Sequence, residues 1–240
     1  MDRAEQLITL ITGAGGNLGQ ASARVFAAAG ARLALVEHSL GRLEALFPQW
    51  VHNGVHLLLG GVDVGDPPQM QAALERILAH FGRVDVLINT VGGYAAGKPL
   101  HEMPLEQWDT MMNLNARTLI VACQAVIPVM LRQKFGRIIN ISSGAALAGS
   151  KNAAAYSAAK SAVIRLTESM AAELKGSGIN VNCILPGTID TPQNRQAMPD
   201  ADFTRWVQPE SLAEVILFLA SPAARDITGA ALPVPGSPPP

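Results

Sequence analysis

The sequence predicts an α/β fold: a doubly wound parallel sheet flanked by helices, in a single domain. Three observations predict it. Short apolar runs alternate strictly with longer amphipathic stretches. The runs are apolar throughout, as in strands covered on both faces, and not at every second residue. No repeat at a solenoid period and no linker-like stretch divides the 240 residues before the end of the chain.

Taken in order, Leu7–Ile11 is the first apolar run and reads as a strand; it meets a glycine-rich turn. Leu18–Ala29 follows as a helix ending at Gly30, then Arg32–Val36 as a second strand. Leu40–Phe47 reads as a helix closed by Pro48, and Val55–Gly61 as a strand after Asn53-Gly54. Pro68–Phe81 opens on proline and ends before Gly82, which suits a helix. Val84–Asn89 is the next strand. Leu105–Arg132 is a long helical tract followed by the strand Arg137–Ile141. Ala153–Lys175 is helical, Ile179–Leu185 a strand and Leu212–Ala220 a helix. The last stretch, Val234–Pro240 (VPGSPPP), reads as a loosely ordered tail.

Composition excludes several partners. Eighteen basic residues face nineteen acidic ones, a net charge of −1, without the basic stripe that a nucleic acid requires. No apolar run reaches the roughly 18 residues of a membrane span. Asp2, Arg3 and Glu5 leave no leader-like apolar region at the start. Cys123 and Cys183 lie in apolar surroundings and read as buried free thiols, which suits a cytoplasmic location. The histidines show no metal-ligand cluster; His52 and His56 are separated by a turn, so no metal is expected.

The segment from Thr12 to Gly19 (TGAGGNLG) links the first strand to the first helix. Glycines let a backbone approach phosphates, and a helix N-terminus offers free N–H groups and the positive end of its dipole. Gly13, Gly16, Asn17 and Leu18 are the expected pyrophosphate contacts. An acidic residue belongs about 20 positions on, at the end of the second strand, and Glu37 stands there. It suits the adenosine ribose hydroxyls and repels a 2′-phosphate, so NAD(H) is favoured over NADP(H). His38 beside it softens that preference.

Tyr156 and Lys160 are four residues apart at a helix start and share one face. An ammonium near a phenol favours the phenolate and lowers its pKa. Such a tyrosine exchanges a proton with a carbonyl or alcohol. Ser143 closes the strand before this helix, at the sheet edge that faces the crevice, placed to donate to a substrate oxygen.

With these residues the chain resembles the short-chain dehydrogenases/reductases of the classical type, a Rossmann-type family, over essentially its full length. Asp63-Val64 resembles the family's adenine-contacting pair, and Asn89-Thr90-Val91-Gly92 stands where the family has Asn-Asn-Ala-Gly. Asn115 matches the active-site asparagine; Ser143, Tyr156 and Lys160 match the other catalytic residues. Pro186, Gly187, Ile189 and Thr191 resemble the segment that holds the nicotinamide carboxamide. The resemblance implies Tyr156 as acid/base, Lys160 on the nicotinamide ribose and Ser143 polarising the substrate oxygen. It implies Asn115 in a water-linked proton path, with Asn89 and Val91 among the cofactor contacts. It also implies a homo-oligomer, dimer or tetramer. Three departures stand out: Asn17 replaces a glycine, Thr90-Val91 replaces Asn-Ala, and the C-terminus is proline-rich.

Asp190–Trp206 further resembles the corresponding loop of the dihydropteridine reductases, and Gly92-Gly93-Tyr94 their Gly-Gly-aromatic segment. Tyr94, Asn194 and Trp206 are therefore the candidate substrate contacts, with Phe203 and Trp206 as lid or anchors. Trp108 reads as packing. Ser143 argues for an ordinary carbonyl or alcohol substrate, since dihydropteridine reductases lack that serine. The leading reading is an oxidoreductase passing hydride between NAD(H) and a small carbonyl or alcohol. Dihydropterin reduction, 3-oxoacyl thioester reduction and a non-catalytic NAD-binding sensor are the alternatives.

Overall fold

In the computed structural model, which describes residues 7–236, seven strands pair in one parallel sheet. They are β1 (Ile8–Thr12), β2 (Arg32–Glu37), β3 (Leu57–Gly60), β4 (Val86–Asn89), β5 (Gly136–Ile141), β6 (Ile179–Pro186) and β7 (Ala231–Val234). The spatial order is β3-β2-β1-β4-β5-β6-β7. The chain reverses its direction of travel across the sheet between β1 and β4, where Thr12 pairs with Asn89. In such a sheet the crevice beyond the strand C-termini opens at this switch point.

Helices cover both faces because successive strand residues point to opposite sides. On one face α3 (Pro67–Phe81), α5 (Thr118–Gln133) and α6 (Ala154–Glu173) pack on Leu10, Val36, Leu87, Ile138 and Val181. On the other, α1 (Asn17–Ala28) and α8 (Pro209–Ala220) pack on Ile11, Leu35, Ile88, Ile139 and Ile184. Leu10 and Ile11 are adjacent in sequence yet belong to separate cores, and both are wholly buried. That division is why the strands are continuously apolar. The elements that complete the chain are α2 (Arg42–Leu46), α4 (Leu105–Met112) and α7 (Pro192–Ala197).

Several boundaries move. The predicted helix Leu40–Phe47 shrinks to the five residues of α2, because Gly41 takes φ +76 and holds the chain out of the helix until Arg42. α8 begins at Pro209, three residues earlier than read, since proline suits the first helical turn. β7 was not anticipated. It is a four-residue edge strand whose Pro233 stands opposite Leu185, and an edge tolerates the missing N–H. The expected loose tail accordingly begins too early: Val234 closes β7 and accepts a hydrogen bond from Gly187 N–H at 3.0 Å. Residues 237–240 lie outside the described residues, as do Asp2, Arg3 and Glu5.

The reading that no stretch is long and apolar enough to cross a membrane is also corrected. Leu105–Gln133 runs as one helical rod of 29 residues and passes that test by length and composition. Its apolar side is already occupied: Leu119, Val121, Ala122, Val126 and Met130 are buried in the sheet core. Polar positions interspersed among the apolar ones break the rod into short uninterrupted runs. Cys123 and Cys183 are free and buried, as read.

Candidate active site

α1 begins at Asn17, and its N-cap is Gly16, which has no side chain to cap the first turn. No acidic residue lies in that turn. The leading N–H groups of a 12-residue helix are thus left to an anion. Gly13 takes φ +68 and lies so close to the segment after β4 that a Cβ there would come 3.0 Å from Val91 N. Leu18 is buried beneath the turn, while Asn17 donates from Nδ2 to Gln193 Oε1 at 2.9 Å, across the crevice. This cradle fits the pyrophosphate of a dinucleotide.

Glu37 ends β2 and is pinned from two sides. Its Oε2 accepts Gly15 N–H at 2.9 Å and its Oε1 accepts Ser39 N–H at 3.2 Å. Asp63 is exposed after β3 and accepts Gly65 N–H at 2.8 Å; its neighbour Val64 is buried in the core. Asn89 is placed differently from expectation. Its side chain is buried and donates to Asn140 Oδ1 at 2.9 Å, and Asn140 donates on to Thr167 Oγ1 at 2.9 Å. Asn89 thus ties β4 to β5 and α6 with its side chain and leaves the crevice to its backbone. Thr90, the departure beside it, donates to Thr12 O at 2.7 Å and links the ends of β1 and β4.

The rod Leu105–Gln133 is interrupted by a π-helical turn, Asn113–Arg117, which carries Asn115. The wider turn is a local irregularity of the kind found at functional sites. Asn115 clamps the backbone after β4: Gly93 N–H donates to its Oδ1 and its Nδ2 donates to Gly93 O, both at 3.1 Å. A Cβ on Gly92 would stand 2.8 Å from Asn115 Oδ1 and 3.2 Å from Lys160 Nζ. Gly92 therefore keeps open the space between these two polar groups.

Ser143 follows β5 and accepts Ala145 N–H on its hydroxyl at 3.2 Å. Its hydroxyl faces the Tyr156 phenol. Burial pushes the Tyr156 pKa up, the Ser143 hydrogen bond pulls it down, and Tyr94 nearby raises it further. The net direction is upward, opposite to the lowering expected from Lys160. The physical reason is twofold. The Lys160 ammonium is 6.0 Å from the Tyr156 ring centroid, and it donates instead to Ile141 O at 3.0 Å. Full burial also depresses Lys160 itself to about 8. Tyr94 is 70% exposed and meets Tyr156 edge to face, with 4.8 Å between ring centroids.

The segment after β6 is tied down along its length. Gly187 must be glycine because a Cβ would strike Pro235 O, and Gly236 packs equally closely on Arg205 O. Ile189 bridges to Val207. Thr191 is the N-cap of α7, its hydroxyl accepting Asn194 N–H at 3.1 Å. The Asn194 amide donates to Ile189 O at 2.8 Å, so that donor serves its own loop. Arg195 grips Asp190 with two hydrogen bonds of 2.6 and 2.7 Å, and Gln208 adds a third at 2.9 Å. These hold the Asp190 carboxyl down at about 2. Arg195 also lies over Phe203, whose ring is 4.7 Å from the half-buried Trp206.

The structure thus gathers Asn115, Ser143, Tyr156 and Lys160 at the switch-point crevice, with Gly13, Gly16, Asn17 and Glu37 on one lip and Ile189 and Thr191 on the other. Sequence reading missed Gly92, Arg42 and Gln193 as parts of this site. Gly92 is the last residue of the Asn89–Gly92 motif and Gln193 lies in the Asp190–Trp206 loop, but neither pattern assigns it a contact; Arg42, whose Nε and Nη2 donate to Gly15 O at 3.2 and 2.9 Å, carries no local signal. Trp108 remains 38% exposed, so the packing read for it is incomplete. Among the described residues no three His, Cys, Asp or Glu side chains are grouped to hold a metal ion.

The profile of the short chain dehydrogenase family matches residues 7–202. The chain is 35% identical to a 2-(R)-hydroxypropyl-CoM dehydrogenase of Xanthobacter autotrophicus, over 96% of this chain and 97% of that one. It is 34% identical to a 3-oxoacyl-[acyl-carrier-protein] reductase of Thermotoga maritima, over 98% of each. The structure of an NAD+-bound xylitol dehydrogenase superposes with a TM-score of 0.90 at 27% identity, covering 98% of this chain and all of that one. With the sheet order, the glycine turn and the Ser143–Tyr156–Lys160 constellation, these likenesses make the chain a member of the short-chain dehydrogenase/reductase family, oxidoreductases that bind nicotinamide cofactors and act on small molecules.

Proposed function

We propose that this protein is an NAD(H)-dependent oxidoreductase acting on a small carbonyl or alcohol, with Tyr156 as its acid/base. One observation carries the reading: at the C-terminal end of β5 the Ser143 hydroxyl faces the Tyr156 phenol, with the Lys160 ammonium 6.0 Å from the Tyr156 ring, beside a glycine cradle left uncapped for an anion. The nicotinamide, when bound, supplies or takes the hydride. Gly13, Gly16, Asn17 and Leu18 hold the pyrophosphate, and Asp63 and Val64 border the adenine. Val91, Pro186, Gly187, Ile189 and Thr191 line the nicotinamide end, and Asn89 supports it from beneath. Glu37 retains lone pairs for the ribose hydroxyls, which supports NAD(H) over NADP(H).

In reduction Ser143 donates to the substrate oxygen as charge develops there, and Tyr156 gives up its phenolic proton to the same atom. Its raised pKa keeps that proton in place at neutral pH. Lys160 orients the nicotinamide ribose and re-protonates Tyr156 through the space beside Gly92, with the clamped Asn115 turn as the far wall of that path. Oxidation of an alcohol runs the same proton in reverse. Tyr156→Phe tests the assignment: NADH binding should persist and turnover of every substrate should fall at least about a hundredfold. Unchanged turnover overturns it.

A second reading concerns the substrate. The exposed Tyr94 ring stands beside Tyr156 and gives the site a flat aromatic wall, which favours a planar substrate such as a quinonoid dihydropterin. NADH oxidation with that acceptor, against the Tyr156→Phe variant, separates it from ketones and 3-oxoacyl thioesters. Trp206 and Asn194 are the other substrate contacts in this reading. Two buried free thiols support a reducing, cytoplasmic setting, and the family likeness supports a homodimer or homotetramer.

A further inference from the structure

Ser142 has no part in the roles set out above, yet it stands between Ile141 and Ser143 and is buried. Two partners fix it. Its N–H donates to Ile184 O on β6 at 2.9 Å, which holds its backbone in the sheet. Its hydroxyl donates to Lys160 O on α6 at 2.8 Å. Lys160 returns a bond to the same segment, from Nζ to Ile141 O at 3.0 Å. The lysine is therefore gripped at both ends, carbonyl and ammonium, by the two residues that precede Ser143.

The reacting groups come from two separate elements. Ser143 follows β5, whereas Tyr156 and Lys160 stand on α6. Apolar packing is non-directional and sets the register of a helix on a strand loosely. A hydrogen bond sets it in distance and angle. The lysine stem is flexible, and holding both of its ends fixes where the ammonium sits. Tyr156, its ring centroid 6.0 Å from Nζ, is the titratable group beside it, and among the described residues no carboxylate pairs with Lys160. Another hydroxyl ties the same helix to the chain after β5: Ser161 Oγ donates to Ala146 O at 2.8 Å. That bond holds the helix but neither end of the lysine.

We propose that Ser142 is a positioning residue for proton transfer: through the carbonyl of Lys160, its hydroxyl sets the lysine in register with Ser143 and Tyr156. Being buried, it acts only through Lys160. The inference rests on Tyr156 as acid/base and Lys160 as its proton source.

Kinetics and a direct titration test it on wild type, Ser142→Ala, Ser142→Thr and Ser161→Ala. NADH oxidation is followed across pH with quinonoid dihydropterin, a ketone and a 3-oxoacyl thioester as acceptors. The Lys160 titration is read without any acceptor, by NMR of protein labelled at the lysine ε-carbon, with Lys160→Met for assignment. Ser142→Ala should lower kcat about tenfold and weaken NADH by less than about threefold. Its Lys160 titration, and with it the alkaline limb of kcat, should move upward, because a loosened ammonium gains water. Ser142→Thr keeps a hydroxyl and should recover both. Ser161→Ala loses a bond of the same kind, so it should lose melting temperature as Ser142→Ala does, yet keep the wild-type kcat and titration. Should Ser142→Ala fail to fold, Ser142→Cys, of nearly the same shape with a weak donor, should show the same changes at smaller size. A Lys160 titration unmoved by loss of the Ser142 hydroxyl overturns the proposal. So does an equal fall in kcat for Ser142→Ala and Ser161→Ala, which would make the bond a tie of the fold alone. Wild-type turnover in Tyr156→Phe overturns the acid/base reading itself, whatever Ser142 does.

Discussion

Lys160 Nζ donates to the carbonyl of Ile141 at 3.0 Å. The bond fixes the ammonium at the end of β5, deep enough that burial alone brings its pKa to about 8. A lysine depressed in this way favours its neutral form in the folded state. The stability it contributes is therefore present above the unfolded value of 10.5 and is lost as pH falls through about 8.

At pH 7 the folded protein thus carries a buried ammonium at a cost of about 3 kcal/mol. Lys160→Met should abolish turnover and still raise thermal stability at pH 7. The net gain is about 1–2 kcal/mol once the unpaired Ile141 carbonyl is counted. The gain should vanish as pH approaches 10.5. Melting curves between pH 6.5 and 10 check it, and a variant less stable at pH 7 contradicts it.

Gly92→Ala places a methyl between Asn115 Oδ1 and Lys160 Nζ. The backbone can accept alanine, since Gly92 is not among the glycines with positive φ. Turnover should fall about tenfold or more, and the melting temperature by several degrees, because the clamped Asn115 must shift to admit the methyl. Steady-state kinetics with a melting curve reads both, and full turnover would show that the space is not used.

His56 Nδ1 accepts the Leu33 N–H at 3.1 Å, and its ring leans on Trp50 with centroids 4.6 Å apart. Burial first, and Arg32 second, lower its pKa below 6.5. The folded state prefers neutral His56, so stability is full above pH 6.5 and declines as pH drops below it. The wild type should lose melting temperature between pH 7 and 5 relative to His56→Gln, whose side chain accepts the same bond without titrating. Parallel curves would remove His56 from the pH response.

The Asn17–Gln193 bond spans 176 residues of sequence to join the two lips of the crevice. If the lips enclose the cofactor, Asn17→Ala and Gln193→Ala should each speed NADH release about two- to fivefold, as for one exposed hydrogen bond. The double variant should match either single, because both remove the same bond. Stopped-flow displacement measures the rates; additive effects would separate the two residues.

Much of this architecture is legible in the sequence. The continuous apolar character of Leu33–Val36 and Ile138–Ile141 follows from a sheet covered on both sides, and so predicts one. Gly13 and Gly16, followed by Glu37 at the next strand end, are constrained by short-range geometry, which a local motif can carry. Tyr156 and Lys160 share a helix face for the same reason. By itself the sequence therefore determined the fold class and singled out the glycine turn and the catalytic candidates.

The tertiary structure decided what depends on residues far apart in the chain. It turned the Asn89 side chain into a buried tie to Asn140, drew Arg42 back over Gly15 and set Gln193 against Asn17. It gave β7 its place, since a four-residue strand with an internal proline is stable only beside β6. It also set the direction of the Tyr156 and Lys160 pKa shifts. Those shifts depend on how much water surrounds each group, and burial is a property of the whole packed chain, not of a four-residue spacing.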